Sequence, residues 1–144
     1  AFPRNNFGCP ATPTGGVTTQ GAPILDINCG GRPLLFSPEW TINLDAEQTV
    51  PLSNKLELVG GANAAYRGKQ FGASEYLAFE EIPGYWLVDL NLSLRSSDKG
   101  WAVTGFVHNV ADVRRNIFPQ SVVGLAVAHY NPPRTYGLRV SLNY

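Results

Sequence analysis

Few residues in this chain could do chemistry through their side chains. There are two cysteines, Cys9 and Cys29, and two histidines, His108 and His129. Thiolates and imidazoles together first suggest a tetrahedral zinc centre, but such sites bring their ligands in pairs, as C-x₂₋₄-C and H-x₃₋₅-H. Neither spacing occurs, so no metal site is expected. His108 and Asp112 stand close enough in sequence to suggest an acid–base pair. They lack a matching Ser or Cys motif, and no Gly-rich phosphate loop occurs, so the chain reads as a non-enzyme without a cofactor. The cysteines lie in a stretch rich in Gly, Pro and Thr. An even pair in such a loop predicts a disulfide in an oxidising compartment, closing about 20 residues and contributing roughly 3 kcal/mol. The alternative is two free thiols in a reducing compartment.

The elements that must carry these residues are strands. The chain has 144 residues, with 11 acidic and 11 basic side chains, 15 glycines and 11 prolines. That length supports one domain with a core. Balanced charge gives no reason to expect a nucleic-acid partner. The longest apolar run is about seven residues, "VVGLAVA" at 122–128, too short for a membrane-spanning helix. The opening "AFPRNNFGCPATPTGG" reads as the middle of a loop, as though the chain were a piece of something longer.

Alternation of period two, the signature of a strand with two unlike faces, occurs five times: at 40–52, 55–67, 85–95, 101–110 and 135–144. Even positions carry the apolar face in four of the five. In 101–110 the face is carried by Trp101, Val103, Gly105 and Val107. The opposite faces hold Asp45, Glu47, Glu57, Asp89 and Arg139 in mid-strand. Two connections, 53–54 and 96–100, are tight hairpins. Two others are long, about 17 residues at 68–84 and about 24 at 111–134, and some 39 loop-like residues precede the first strand. Long loops at one end and short turns at the other are the pattern of outer-membrane barrels.

The apolar faces fit hydrocarbon better than a protein interior. Small residues (Gly60, Ala62, Ala64, Gly105) fill a core poorly but do no harm against lipid. Trp40, Tyr66, Trp86, Trp101, Tyr136 and Tyr144 stand at strand ends, where membrane-interface aromatics belong. Five strands cannot close a barrel, so others must complete it.

Several segments, in order, resemble the C-terminal end of the barrel of TonB-dependent outer-membrane receptors. They are "RPLLFSPEWTINLDAEQT" (32–49), "ELVGGANAAYRGKQ" (57–70), "GYWLVDLNLSLRSSDKGWAVTGFVHNVADVR" (84–114) and "PPRTYGLRVSLNY" (132–144), about four-fifths of the chain. Pro38 and Glu39 match the element that leads into a strand. Asn109 to Asp112 match an Asn-Leu-Thr-Asp turn, with Val110 and Ala111 as mild departures. Pro133 to Gly137 match the opening of the last strand. The resemblance implies an all-β fold: about five strands of an antiparallel up-and-down transmembrane barrel of roughly 22 strands. Residues 1–39 would be an extracellular loop region holding the disulfide, and 40–144 the C-terminal barrel strands. Tyr136, Leu138, Val140, Leu142 and the terminal Tyr144 would form the signal read by the barrel-assembly machinery.

The same resemblance implies a receptor in the bacterial outer membrane for active uptake of a siderophore–iron complex, vitamin, haem or glycan. Its partners would be the remaining strands and plug, from this polypeptide or another chain, the inner-membrane TonB energy-coupling complex, and outer-membrane lipid. Loops 71–81 and 114–130 mix aromatic and polar groups that could touch cargo, and Arg114 and Arg115 offer charge to an anionic siderophore. Packing of loop against loop explains the same residues, and no ligand-binding residue is assigned. Two rival readings remain. One is a soluble secreted β-sheet binding module with an aromatic platform. The other is a subunit giving strands to an oligomeric pore.

Overall fold

A computed structural model describes residues 8–122 and 125–143. Tyr144, placed by sequence in both the aromatic girdle and the assembly signal, lies outside the described residues. The fold is all-β and antiparallel, with no α-helix among the described residues. In chain order the strands are β1 (Ala11–Val17), β2 (Pro23–Ile27), β3 (Thr41–Ser53), β4 (Leu56–Arg67), β5 (Gln70–Phe71), β6 (Glu81–Ile82), β7 (Tyr85–Ser96), β8 (Trp101–His108), β9 (Gln120–Val122), β10 (Leu125–Val127) and β11 (Thr135–Leu142). A 3₁₀ turn, Ala78–Glu80, precedes β6.

The chain divides into two units. One comprises Trp40–Gly68, Gly84–Arg115 and Asn131–Tyr144; the other gathers Ala1–Glu39, Lys69–Pro83 and Asn116–Tyr130. The segments read from sequence as long loops therefore cluster with the N-terminal region. They also hold short strands that sequence did not suggest.

The first unit is a single sheet of five strands in the order β3-β4-β7-β8-β11, a meander in which each strand pairs with its neighbour in the sheet sequence. These are the five segments found by alternation. β3, β4 and β7 run 13, 12 and 12 residues, about twice the usual length in globular proteins. Pro51 lacks an N–H for the ladder and sits where the β3–β4 register shifts, the kind of irregular position that tolerates proline. At the short-turn end, Asp98 accepts the Ser96 hydroxyl and the Gly100 N–H (3.0 Å). Lys99 takes the left-handed conformation at φ 60°. Asn143 then ties the end of β11 to this turn, donating to the Gly100 and Lys99 carbonyls at 2.8 and 2.9 Å.

The second unit contains the β1–β2 hairpin. Its register sets Ala11 opposite Ile27, and the same count brings Cys9 opposite Cys29. A disulfide joins them across the base of the hairpin. Among the described residues, the buried apolar side chains are Cys9, Val59, Ile82, Tyr85 and Pro119. The expected core is therefore almost absent, although the chain is long enough to form one.

The exposed hairpin has little to hold it except backbone bonds and the disulfide. Reduction, or Cys29→Ser, should raise amide exchange through 11–27 while leaving β3, β4, β7, β8 and β11 protected. Hydrogen-exchange mass spectrometry would check this, with an expected loss of about 3 kcal/mol of local protection for a 20-residue closure.

Candidate functional site

The cross-strand register shows what the sheet presents. Ala46, Ala62, Leu90, Val107 and Tyr136 form one row across all five strands. Gln48, Gly60, Leu92, Gly105 and Leu138 form the next apolar-side row, followed by Val50, Leu58, Leu94, Val103 and Val140. The apolar faces of the five strands thus join into one continuous surface, which follows from pairing in-phase period-two strands. This surface is open. Leu44 is 57 % exposed, Leu92 55 %, Tyr136 80 %, Leu138 78 % and Leu142 68 %. Its middle is shallow because Ala46, Gly60, Ala62 and Gly105 are small, and Gln48 is the polar side chain within it.

Most of the aromatics gather at the long-loop end. Tyr66 and Trp86 are directly paired, their ring centroids 5.1 Å apart. Trp40 is 70 % exposed just before β3. Tyr136 stands further along on β11, beside Val107. Trp101 lies at the opposite, short-turn end, paired with Leu142. The five described aromatics do not form a single cluster.

The other face is polar, and its groups bond one another across the strands. Asn63 Nδ2 donates to Asp45 Oδ1 at 2.6 Å, Arg95 Nε to Glu57 Oε2 at 2.9 Å and Thr104 Oγ1 to Ser93 Oγ at 2.9 Å. His108 Nδ1 lies 2.9 Å from Asp89 Oδ2. Phe106 covers the position opposite it on β11: a Cβ added at Gly137 would stand 2.7 Å from the Phe106 ring. A side chain at 137 would therefore have to push the Phe106 ring aside. The Arg139 guanidinium lies 6.0 Å from the centre of the same ring.

The most extensively bonded polar structure is a corner where β7, β8 and the approach to β11 meet. Asn109 is buried and left-handed, at φ 53°, a conformation Asn tolerates better than most residues. Its Nδ2 donates to the Val113 and Pro132 carbonyls at 3.0 and 3.1 Å, and its Oδ1 accepts the Val113 N–H at 2.9 Å. Its own N–H reaches Asp89 Oδ1 at 2.8 Å. Asn131, also buried, accepts the Arg115 N–H at 2.7 Å and donates to the Val113 carbonyl at 2.8 Å. Asp112 Oδ1 accepts the Arg134 N–H at 2.8 Å and Arg114 Nε at 3.2 Å. Those bonds, from the Arg134 backbone first and the Arg114 side chain next, hold the Asp112 carboxyl below its ordinary value. Bonds from the Ser96 hydroxyl and then the Gly100 N–H do the same for Asp98.

The residues weighed for chemistry are therefore dispersed. Cys9 and Cys29 are bonded to each other, His108 pairs with Asp89 rather than Asp112, and His129 bonds the Phe118 carbonyl oxygen at 3.3 Å. Arg114 is engaged by Asp112. In the sequence Asn109 shows only as part of a matched turn, Asp112 shows there and as a partner weighed for His108, and Asn131 shows no role. The available signal was an Asn on either side of a long connection, since buried Asn can bond several backbone groups at once. No family model, curated protein or solved structure matches the chain.

Two measurements test the corner. Asn109→Ala should cost about 3 kcal/mol, from lost bonds to buried backbone and a disfavoured left-handed alanine. Asn109→Gly should cost roughly 1 kcal/mol less because only the bonds are lost. Urea midpoints of the refolded chain would separate the two. For Asp112 the folded pKa is depressed, so its stabilisation is present above 3.8 and lost as pH falls through the folded value. Asp112→Asn should remove that part of the acid-denaturation slope, and an unchanged slope would show that the carboxylate bonds contribute nothing.

Proposed function

We propose that the five-stranded sheet is a segment of an outer-membrane β-barrel, its apolar face on lipid and its polar face on a wet lumen. On this reading the chain is the C-terminal part of a TonB-dependent uptake receptor. The observation that carries the reading is the continuous apolar face across five strands, left exposed opposite a hydrogen-bonded polar face. A soluble monomer rarely leaves so extensive an apolar surface uncovered. The dimensions agree: 13 residues of β3 at about 3.3 Å each, tilted about 40°, rise roughly 30 Å, enough for a ~25 Å apolar band. β3 and β11 each have one neighbour in the sheet. Their free edges would be costly in hydrocarbon, so the reading requires further strands on both sides.

In this reading Tyr66, Trp86, Trp40 and Tyr136 sit towards the outer interface, Trp101 at the periplasmic one, and β11 carries the assembly signal. The cargo class is a siderophore–iron complex, vitamin, haem or glycan, drawn in with energy relayed from the inner membrane. The work is selective passage, for which no covalent step is needed.

The three tryptophans, Trp40, Trp86 and Trp101, give a direct test. In outer-membrane vesicles their fluorescence should be quenched by lipids brominated near the headgroup more than by lipids brominated near the chain end. Leu92→Arg and Leu138→Arg, in the middle of the apolar face, should each cost about 2–4 kcal/mol of folding stability in lipid, whereas Thr104→Arg on the polar face should cost much less. A chain monodisperse in buffer without detergent, with unquenched tryptophans, would sink the proposal and leave the soluble binding module. The two free edges also suit an oligomeric pore, and native mass spectrometry in detergent would reveal that as a ring of identical chains.

A further inference from the structure

The second unit contains a buried acid that nothing in the proposed function uses. Glu80 is 0 % exposed. Its Oε2 accepts the Leu77 N–H at 2.9 Å, while its Oε1 is buried without a hydrogen-bond partner among the described residues. Gln70, also buried, has an unpartnered Oε1 too. β5 and β6 place these residues near each other. Gln70 pairs with Ile82, Phe71 pairs with Glu81, and the Gly72 N–H donates to the Glu80 carbonyl at 2.9 Å. Gln70 and Glu80 therefore lie on one side of the strand pair as diagonal neighbours, a separation long side chains can bridge.

The two unpartnered oxygens stand on the same side of the strand pair, where one added proton would let one donate to the other. A carboxylic acid can donate where a carboxylate can only accept. We propose that Glu80 is protonated in the folded 70–82 segment, its hydroxyl donating to the Gln70 carbonyl oxygen, and that loss of this proton to solvent loosens the segment. This is a pH-operated latch, independent of what the sheet does.

From the 3₁₀-turn approach, Glu75 adds like charge. Lys69 beside β5 and Glu81 on β6 engage each other at 3.4 Å. Arg32 lies 5.7 Å over the Tyr76 ring, and His129 bonds the Phe118 carbonyl oxygen. Burial pushes the Glu80 carboxyl above its ordinary 4.5, against the pull of the Leu77 N–H and with a further push from Glu75. A raised folded value makes closure most favourable below 4.5. Closure weakens as pH climbs from there to the folded value, then levels off.

The test compares hydrogen exchange at the Gly72 and Glu80 amides in the full wild-type chain and in Glu80→Gln. Taking the ratio of the two removes the base catalysis common to all amides. The ratio should rise about tenfold per pH unit through the window and then flatten, with Glu80→Gln staying protected throughout. If Glu80→Gln fails to fold, carbon-detected titration of the Glu80 carboxyl in the wild type decides. A midpoint above 4.5 supports the latch, and one at or below 4.5 overturns it. A flat exchange ratio also overturns it. So does protection restored at high pH by calcium, which would make the occupant a cation.

Discussion

The pairing of backbone N–H and C=O groups between neighbouring strands is the constraint on which this molecule depends. Folded domains usually add a packed interior to that pairing, but here the buried apolar side chains among the described residues are Cys9, Val59, Ile82, Tyr85 and Pro119. The central strand β7 is flanked on both sides, and the ladder runs from β3 to β11 without a break in order. A five-stranded sheet with both faces open would be a poor object in water, since its apolar face gains nothing there. The same sheet becomes sensible once something apolar covers that face and other strands meet its edges. Its polar face requires no such help. The pairs Asp45–Asn63, Glu57–Arg95 and Asp89–His108 satisfy one another across neighbouring strands.

Where the ladder stops, side chains take over its role. At the short-turn end the Asp98 carboxylate and the Asn143 amide collect the backbone groups left by the turn. At the other end Asn109 and Asn131 engage the backbone of Val113, Arg115 and Pro132. Both sets are built from short amide and carboxylate side chains. These can imitate a peptide group where the chain changes direction and a neighbouring strand no longer supplies one. The corner is the more demanding of the two, because its asparagines are buried and lost bonds there would not be replaced by water.

The sheet was legible in the sequence because period two is a direct consequence of strand geometry. The five alternating segments are the five strands of the sheet, and their in-phase apolar positions fall on one face. Short turns restrict the register of β3 with β4 and of β7 with β8, whereas β4–β7 and β8–β11 are joined by long segments that leave their registers unspecified in the sequence. The second unit was less legible. "ATPTGGV" in β1 contains Pro13, Gly15 and Gly16, a composition that argues against a strand, yet a disulfide at its base and backbone bonds to β2 hold it extended. β5 and β6 are two residues each, too short for any period to show. The corner was hidden for another reason. Asn109 and Asn131 are 22 positions apart in the numbering, and the role of each depends on a backbone brought near by the fold.

The meander order has a consequence for the route by which the sheet forms. β3 with β4, and β7 with β8, are joined by turns of a few residues, so each pair can zip within microseconds from a contact local in sequence. Joining β4 to β7, or β8 to β11, means first closing an intervening segment of about 17 or about 26 residues, which carries a larger entropic penalty. The slow steps of assembly therefore lie at the β4–β7 and β8–β11 seams. The Asn109 corner spans the second of these, where it can retain β11 once that strand has arrived.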